Sequence, residues 1–264
     1  MNSVLLDLGI IQIRWYSLFI LLAIITASFL IIKESKKKAI PEDYFIDLIF
    51  YGIIIGILGA RIYYVLFNLD YYLQYPKEIL MIWNGGLAIH GGIIATIIFL
   101  IIYSKKKKGN ILLMTDIIVV GLIIAQSMGR WGNFFNGEAF GRVVTLEFLN
   151  NLHLPQFIID GMFIDGLYRE PTFLYESILS LIGFIVLILI RRSKKLKLGQ
   201  LTATYLIWYG IERLIIETFR SDSLMLGPIK MAQLVSIIAI ISGIILMIKA
   251  IKSKKNYHEI EIFD

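Results

Sequence analysis

Residues 231–255 read MAQLVSIIAIISGIILMIKAIKSKK, and this stretch decides the fold. Its first part, Met231–Ile248, carries no charged side chain. As a helix rising about 1.5 Å per residue it nearly spans a hydrocarbon core of about 30 Å. Lys249, Lys252, Lys254 and Lys255 follow at once, a cluster that marks the cytoplasmic end of a membrane helix. The same pairing of an apolar run with its flanking charge can be sought along the rest of the chain.

Composition agrees with the stretch. Of the 264 residues, 58% are apolar or aromatic and only 17% are charged, and mean hydropathy is +0.76. Soluble domains hold about 45–50% apolar and about 25% charged residues, so ordinary soluble and disordered classes are excluded. No cysteine is present, which removes disulfide frameworks, zinc–thiolate sites and covalent catalysis by an enzyme thiol.

Six more candidate spans precede this one: Trp15–Ile32, Tyr44–Phe67, Gly86–Tyr103, Ile111–Met128, Thr172–Ile190 and Leu201–Phe219. The fourth carries Asp116, and the sixth carries Glu212, Arg213 and Glu217, so hydropathy supports these two less. Lys33, Lys36, Lys37 and Lys38 follow span 1, and Lys105 to Lys108 follow span 3. Arg191, Arg192, Lys194, Lys195 and Lys197 follow span 5. With the last cluster these segments hold 17 of the 26 basic residues. The net charge of +6 therefore reports topology and not nucleic-acid binding. The expected architecture is a single all-α membrane domain over 1–264, with seven helices, the N-terminus outside and the C-terminus cytoplasmic. The first 14 residues lack a basic region, and no A-x-A site follows span 1, so that span reads as an uncleaved helix. Residues 129–171 form the one long outer connection. Its run Leu146–Ile159 fits short helices or strands, and its Phe, Leu and Ile argue against disorder.

Ionisable groups at bilayer depth are costly and mark function or buried ion pairs. Arg61 lies 17 residues beyond Tyr44, about 25 Å from the cytoplasmic end of span 2. His90 opens span 3, Arg130 ends span 4, Glu176 begins span 5, and Arg213 and Glu217 fall in the outer half of span 6. With Tyr16 these groups share the outer level, whereas Asp47 and Asp116 lie near the cytoplasmic ends. Interfacial snorkelling is the competing explanation for any one of them, but it gives no reason for His, Arg and Glu to gather on one side.

Tyr209, Arg213, Glu217 and Arg220 are spaced to share one face of span 6, and Glu212 points elsewhere. A structural salt bridge and an anion site backed by Glu217 both fit that face. Gly52, Gly56, Gly59 and Ala60 form a small-xxx-small pattern on span 2, read as close helix packing.

The stretch Gly129-Arg130-Trp131-Gly132-Asn133-Phe134-Phe135-Asn136-Gly137-Glu138-Ala139-Phe140-Gly141 reads as a Gly/Asn-rich turn after a helix. Arg130 offers a planar donor fork suited to phosphate, and Glu138 can orient it or accept a proton. This run resembles the signature of the prolipoprotein diacylglyceryl transferase family. So do Tyr16, the Gly85–Gly92 run around His90, the box Pro171-Thr172-Phe173-Leu174-Tyr175-Glu176, and Tyr209-Gly210-Ile211-Glu212-Arg213 with Glu217-Thr218-Phe219-Arg220. One departure is Glu170, where the family often has His before the proline.

The resemblance implies transfer of the sn-1,2-diacylglyceryl group of phosphatidylglycerol to the lipobox cysteine of a bacterial prolipoprotein, releasing glycerol phosphate. It implies a multi-pass protein of the bacterial cytoplasmic membrane with its site towards the outer leaflet. The reaction needs a deprotonated sulfur and neutralisation of the departing phosphate. His90, the only histidine in a span, is the candidate base, and Arg130 and Arg213 are the candidates for the phosphate. Asn133, Glu138 and Glu217 would orient the arginines or the glycerol hydroxyls, and Tyr16 and Tyr209 would add hydroxyl contacts. Segment 129–171 would act as a lid. No metal or cofactor is implied, since His153 and His258 are isolated in the sequence. The rival reading is a secondary transporter using the same charges, but such proteins favour midplane sites and internal repeats. Neither is evident here.

Overall fold

A computed structural model of the chain describes residues 4–7, 12–221, 225–226 and 229–263. Among them the helices are α1 (Trp15–Lys37), α2 (Glu42–Phe67), α3 (Leu69–Gln74), α4 (Ile89–Lys106), α5 (Ile111–Asn136), α6 (Leu146–Asn151), α7 (Gln156–Gly161), α8 (Thr172–Arg191), α9 (Gln200–Phe219) and α10 (Met231–Lys252). Strands are confined, among the described residues, to three short antiparallel pairs: Val4–Asp7 with Gln12–Arg14, Phe163–Ile164 with Leu167–Tyr168, and Met225–Leu226 with Ile229–Lys230. The protein is thus mostly helical, as its composition requires.

Six of these helices, α1, α2, α4, α5, α8 and α10, are long and apolar enough to cross a membrane. The helix α9 has 20 residues, but Glu212, Arg213 and Glu217 interrupt its apolar run. The outward faces are what a bilayer solvates. Ile178, Ile182, Ile185 and Leu189 of α8, and Ile238, Ile241, Ile245 and Ile248 of α10, are all exposed. Water would penalise such stripes, whereas lipid tails match them.

The chain divides into two units, Met1–Ile31 with Thr115–Ile260 and Ile32–Met114 with Glu261–Asp264. In the first, α5 is the buried axis, with Ile117, Val120 and Ile123 almost fully enclosed. Small residues let its neighbours approach: a Cβ added at Gly121 would stand 2.9 Å from the Ala27 carbonyl oxygen of α1. Helices α9 and α10 pack closely for the same reason, since a Cβ at Gly210 would lie 2.8 Å from the Ser236 carbonyl oxygen.

In the second unit α2 packs on α4 through the small-residue stripe that the sequence offered. A Cβ at Gly59 would meet Ala95 and lie 2.8 Å from the Gly91 carbonyl oxygen, and one at Gly56 would lie 3.0 Å from Thr96 Oγ1. Close approach of backbones without large side chains supplies the packing that hydrophobicity cannot supply within lipid.

The structure differs from the sequence reading at α5, which runs to Asn136 and not to Met128. Gly and Asn are weak helix formers, but tertiary burial overrides that weakness. Phe134 is 3% exposed and belongs to an apolar cluster with Leu149, Ile158, Ile159, Met162 and Phe173. Its ring stacks on Phe173 at 4.5 Å. Helix ends where Gly137 takes φ +66, a left-handed stop that glycine adopts cheaply. Run 146–159, open between helix and strand, contains the two short helices α6 and α7. Thr145 Oγ1 caps α6 by accepting from Phe148 N at 3.1 Å. Segment 137–171 is therefore packed, through a core it shares with Phe134 of α5 and Phe173 of α8.

Candidate active site

The polar cluster of the first unit is assembled from three helices, each held by a different device. Two serines join α5 to α8. Ser127 Oγ donates to the Ser177 carbonyl at 2.8 Å, and Ser177 Oγ donates to the Ser127 carbonyl at 3.0 Å. Both serines are buried, and this reciprocal pair stands one turn from Arg130 on α5 and one residue from Glu176 on α8. A buried carboxylate fixes the start of α9. Asp116 accepts from Gly199 N at 2.6 Å, from Thr202 N at 2.8 Å and from Thr202 Oγ1 at 2.6 Å. It thus caps, from α5, the orphan N–H groups of α9 and complements their positive dipole end. At the other end of α9, Lys230 Nζ donates to the carbonyls of Glu217 at 2.6 Å and Arg220 at 2.9 Å. These contacts fix the height and rotation of the helix that carries Arg213.

Glu176 lies where the three helices meet and is 1% exposed. Arg213 Nη1 donates to its Oε1, and Arg130 Nε forms an ion pair with its Oε2 at 2.7 Å. Arg213 Nη2 is paired with Glu217 Oε2 at 2.6 Å, so the i, i+4 pair expected on α9 is formed. Neither of these two ion pairs has hydrogen-bond alignment; they bind by charge. Two guanidinium groups and two carboxylates cancel, which lets the cluster exist away from water. The arrangement is uneven at one point. Arg130 meets its carboxylate most closely through Nε, and among the described residues neither Nη group makes a hydrogen bond. A fifth of the Arg130 side chain is exposed, so the outer edge of its fork is open. That edge suits a phosphate, which takes two parallel N–H donors.

The other sequence candidates of this unit surround the pair. Tyr16 on α1 packs against Gly132, where an added Cβ would lie 3.0 Å from its ring, and it interacts electrostatically with Arg130 and Glu138. Tyr209 stacks on Tyr205 at 6.0 Å, one turn from Arg213. Asn133, half-buried, lies on helix rather than turn, and its carbonyl accepts from Glu138 N at 2.9 Å. Glu138 itself is exposed and accepts from Asn136 Nδ2 at 3.1 Å. The carboxylate that orients Arg130 is Glu176, to which the sequence reading gave no role. Its sequence signals were its depth at the mouth of span 5 and its place at the end of the Pro171–Glu176 box. Glu170 is also explained: it is buried and pairs with Arg142 Nε at 2.9 Å. The Arg142 backbone N–H in turn bonds the Phe219 carbonyl at 3.0 Å, tying segment 137–171 to the end of α9. Glu212 is buried, accepts from Ser180 Oγ at 2.7 Å and interacts electrostatically with Glu176, Arg130 and Arg213, so it borders the cluster without a direct ion pair to it among the described residues.

His90 belongs to the second unit, in the first turn of α4. It is partly exposed, and among the described residues its ring has no hydrogen-bond partner.

A profile described as prolipoprotein diacylglyceryl transferase matches residues 3–249, nearly the whole chain. The chain belongs to the prolipoprotein diacylglyceryl transferase family. Relatives named phosphatidylglycerol–prolipoprotein diacylglyceryl transferase agree. One from Lactobacillus delbrueckii subsp. bulgaricus is 44% identical, covering 98% of this chain and 94% of its own length. One from Staphylococcus saprophyticus is 47% identical over 94% of this chain and 88% of its own. One from Ligilactobacillus salivarius is 46% identical over 92% and 91%. The prolipoprotein diacylglyceryl transferase profile spans both units, and so covers the arginine cluster and His90 alike.

Proposed function

We propose that this chain transfers the sn-1,2-diacylglyceryl group of phosphatidylglycerol to the cysteine thiol of a prolipoprotein lipobox, the first step of lipoprotein maturation. The observation that carries the reading is Glu176 shared between Arg130 and Arg213, with the outer edge of Arg130 left for an anion. In this reading the chain crosses the bacterial cytoplasmic membrane seven times, α9 included, with its N-terminus outside and the cluster towards the outer leaflet. The clusters of lysine and arginine after α1, α4, α8 and α10 support that orientation.

The chemistry is a displacement at carbon. The cysteine sulfur attacks the glycerol CH₂ that bears the phosphate, a C–S bond forms, and the C–O bond to phosphate breaks. The electron pair leaves on glycerol phosphate, and the thiol proton is taken by a base. A free thiol ionises near pH 8.5, so only a few per cent is thiolate at neutral pH. His90 supplies the base. Arg130 and Arg213 hold the phosphate and stabilise the charge that grows on it. One such fixed donor is worth about 3 kcal/mol of barrier. Because Glu176 and Glu217 fix these groups beforehand, no reorganisation is needed as the charge develops. Asn133, Glu138, Tyr16 and Tyr209 contact the glycerol hydroxyls or the headgroup. Segment 137–171 covers the site and receives the peptide.

The test is turnover by the purified full-length chain supplied with phosphatidylglycerol and a lipobox peptide. The expected product is a peptide heavier by one diacylglyceryl group on cysteine. No mass shift from a folded protein would refute the proposal, and so would a peptide modified at another residue.

A further inference from the structure

Arg61 is a buried charge that the reaction does not use. It lies on α2, is 5% exposed, and among the described residues no carboxylate pairs with it. Its donors go to main-chain carbonyls. Nε donates to Ile79 at 3.0 Å, Nη1 to Gly85 at 2.8 Å and Gly86 at 3.0 Å, and Nη2 to Glu78 at 2.5 Å. The plane lies over the Tyr72 ring, 5.1 Å from its centroid. One guanidinium therefore gathers two separate stretches of chain, 78–79 and 85–86, onto α2. Such a fork is something only Arg provides; a Lys ammonium is a point charge and cannot span four carbonyls.

The second stretch leads straight into α4. Gly85 and Gly86 have φ +87 and +70, values that glycine adopts without strain. A Cβ at Gly86 would collide with Arg61 Nη1 and lie 2.8 Å from Tyr64 Cε1. Two residues later Ala88 N bonds the Ala60 carbonyl at 3.0 Å. A Cβ at Gly91 would lie 2.5 Å from the Gly59 carbonyl oxygen. His90 sits between these fixed points, and no side chain among the described residues holds its ring. Among the described residues its position is set by backbone, which Arg61 holds at Gly85 and Gly86 and which Ala60 and Gly59 hold at Ala88 and Gly91.

We infer that Arg61 is a positioning residue for His90, acting through the carbonyls of Gly85 and Gly86. This rests on the reading of His90 as the base. A polar cavity of about 380 Å³ lined by Arg61, Tyr64, Asn68, Tyr71, Tyr72 and Glu78 adjoins the clamp. The cavity leaves room for water beside these carbonyls when the guanidinium is removed.

The experiment is a double-mutant cycle on the full-length chain, with phosphatidylglycerol and a lipobox peptide as substrates. Arg61→Lys and Arg61→Gln should each lower kcat at least tenfold while KM for phosphatidylglycerol changes less than twofold. In a His90→Gln background the same substitutions should change the residual rate less than twofold. Gly86→Ala, which pushes on the clamp from the other side, should show the same non-additivity. If the Arg61 and His90 effects multiply instead, Arg61 does not act through His90 and the inference fails while the reading of His90 stands. If KM rises and kcat holds, the inference fails in the same way. If His90→Gln alone leaves kcat intact, the reading of His90 falls and the inference falls with it.

Discussion

Glu176 holds Arg130 with one carboxylate oxygen and Arg213 with the other. A single buried carboxylate from α8 thus sets the spacing of two cations brought by α5 and α9. Replacing it by Gln keeps the shape and removes the charge, leaving two guanidinium groups with Glu217 as the carboxylate paired to either among the described residues. An anionic lipid should then bind at least as well in the ground state, but the arginines lose the geometry that favours the departing phosphate. Glu176→Gln is therefore expected to lower kcat tenfold or more without raising KM for phosphatidylglycerol. Steady-state kinetics checks this, and a raised KM with unchanged kcat would contradict it.

The two arginines are not equivalent. Arg213 spends Nη1 on Glu176 and Nη2 on Glu217, whereas among the described residues Arg130 is paired with one carboxylate, most closely through Nε. Arg130→Lys should cost about 10²-fold in kcat, the loss of one oriented donor pair, and the protein should stay folded. Arg213→Lys should also lower thermal stability, because it strands the buried carboxylate of Glu217. Breaking a buried pair costs about 3–5 kcal/mol. Parallel activity and melting measurements separate the two; equal loss of stability would refute the distinction.

How much of this was legible beforehand depends on the range of the interaction. The spans and lysine clusters are local patterns, and the helices begin and end within a few residues of the apolar runs. Arg130, Arg213 and Glu217 could be named because an i, i+4 pair and a donor fork are readable along one helix. Glu176 and Ser127 could not be given roles, because their partners lie on other helices; Ser127 and Ser177 are 50 residues apart. The end of α5 was misread for a related reason. Gly and Asn are turn formers locally, and only the burial of Phe134 against a core contributed from residues 149–173 makes that stretch helical.

Asp116 looks like a functional membrane charge and is a helix cap. Its two oxygens satisfy Gly199 N, Thr202 N and Thr202 Oγ1, so Asp116→Ala orphans buried donors at the start of α9. The expected cost is about 1–3 kcal/mol for the unsatisfied groups. The variant should melt earlier, yet at low temperature, while folded, it should turn over at near the parental rate. A fall in kcat without a fall in melting temperature would give Asp116 a chemical role instead.

The base assignment makes a prediction with a definite sign in pH. A base is needed most where the thiol is protonated, and a free thiol ionises on its own near pH 8.5. His90→Gln should therefore be slowest relative to the parent at pH 6.5–7, where a general base must remove the proton in the transition state. As pH rises to about 9, hydroxide performs that task in solution and the two rates should converge. The measurement is kcat against pH for both proteins with the same lipobox peptide. A constant ratio across the range would mean that His90 does not take the thiol proton. A ratio that widens with pH would contradict the convergence expected here and would likewise refute His90 as the group that takes the thiol proton.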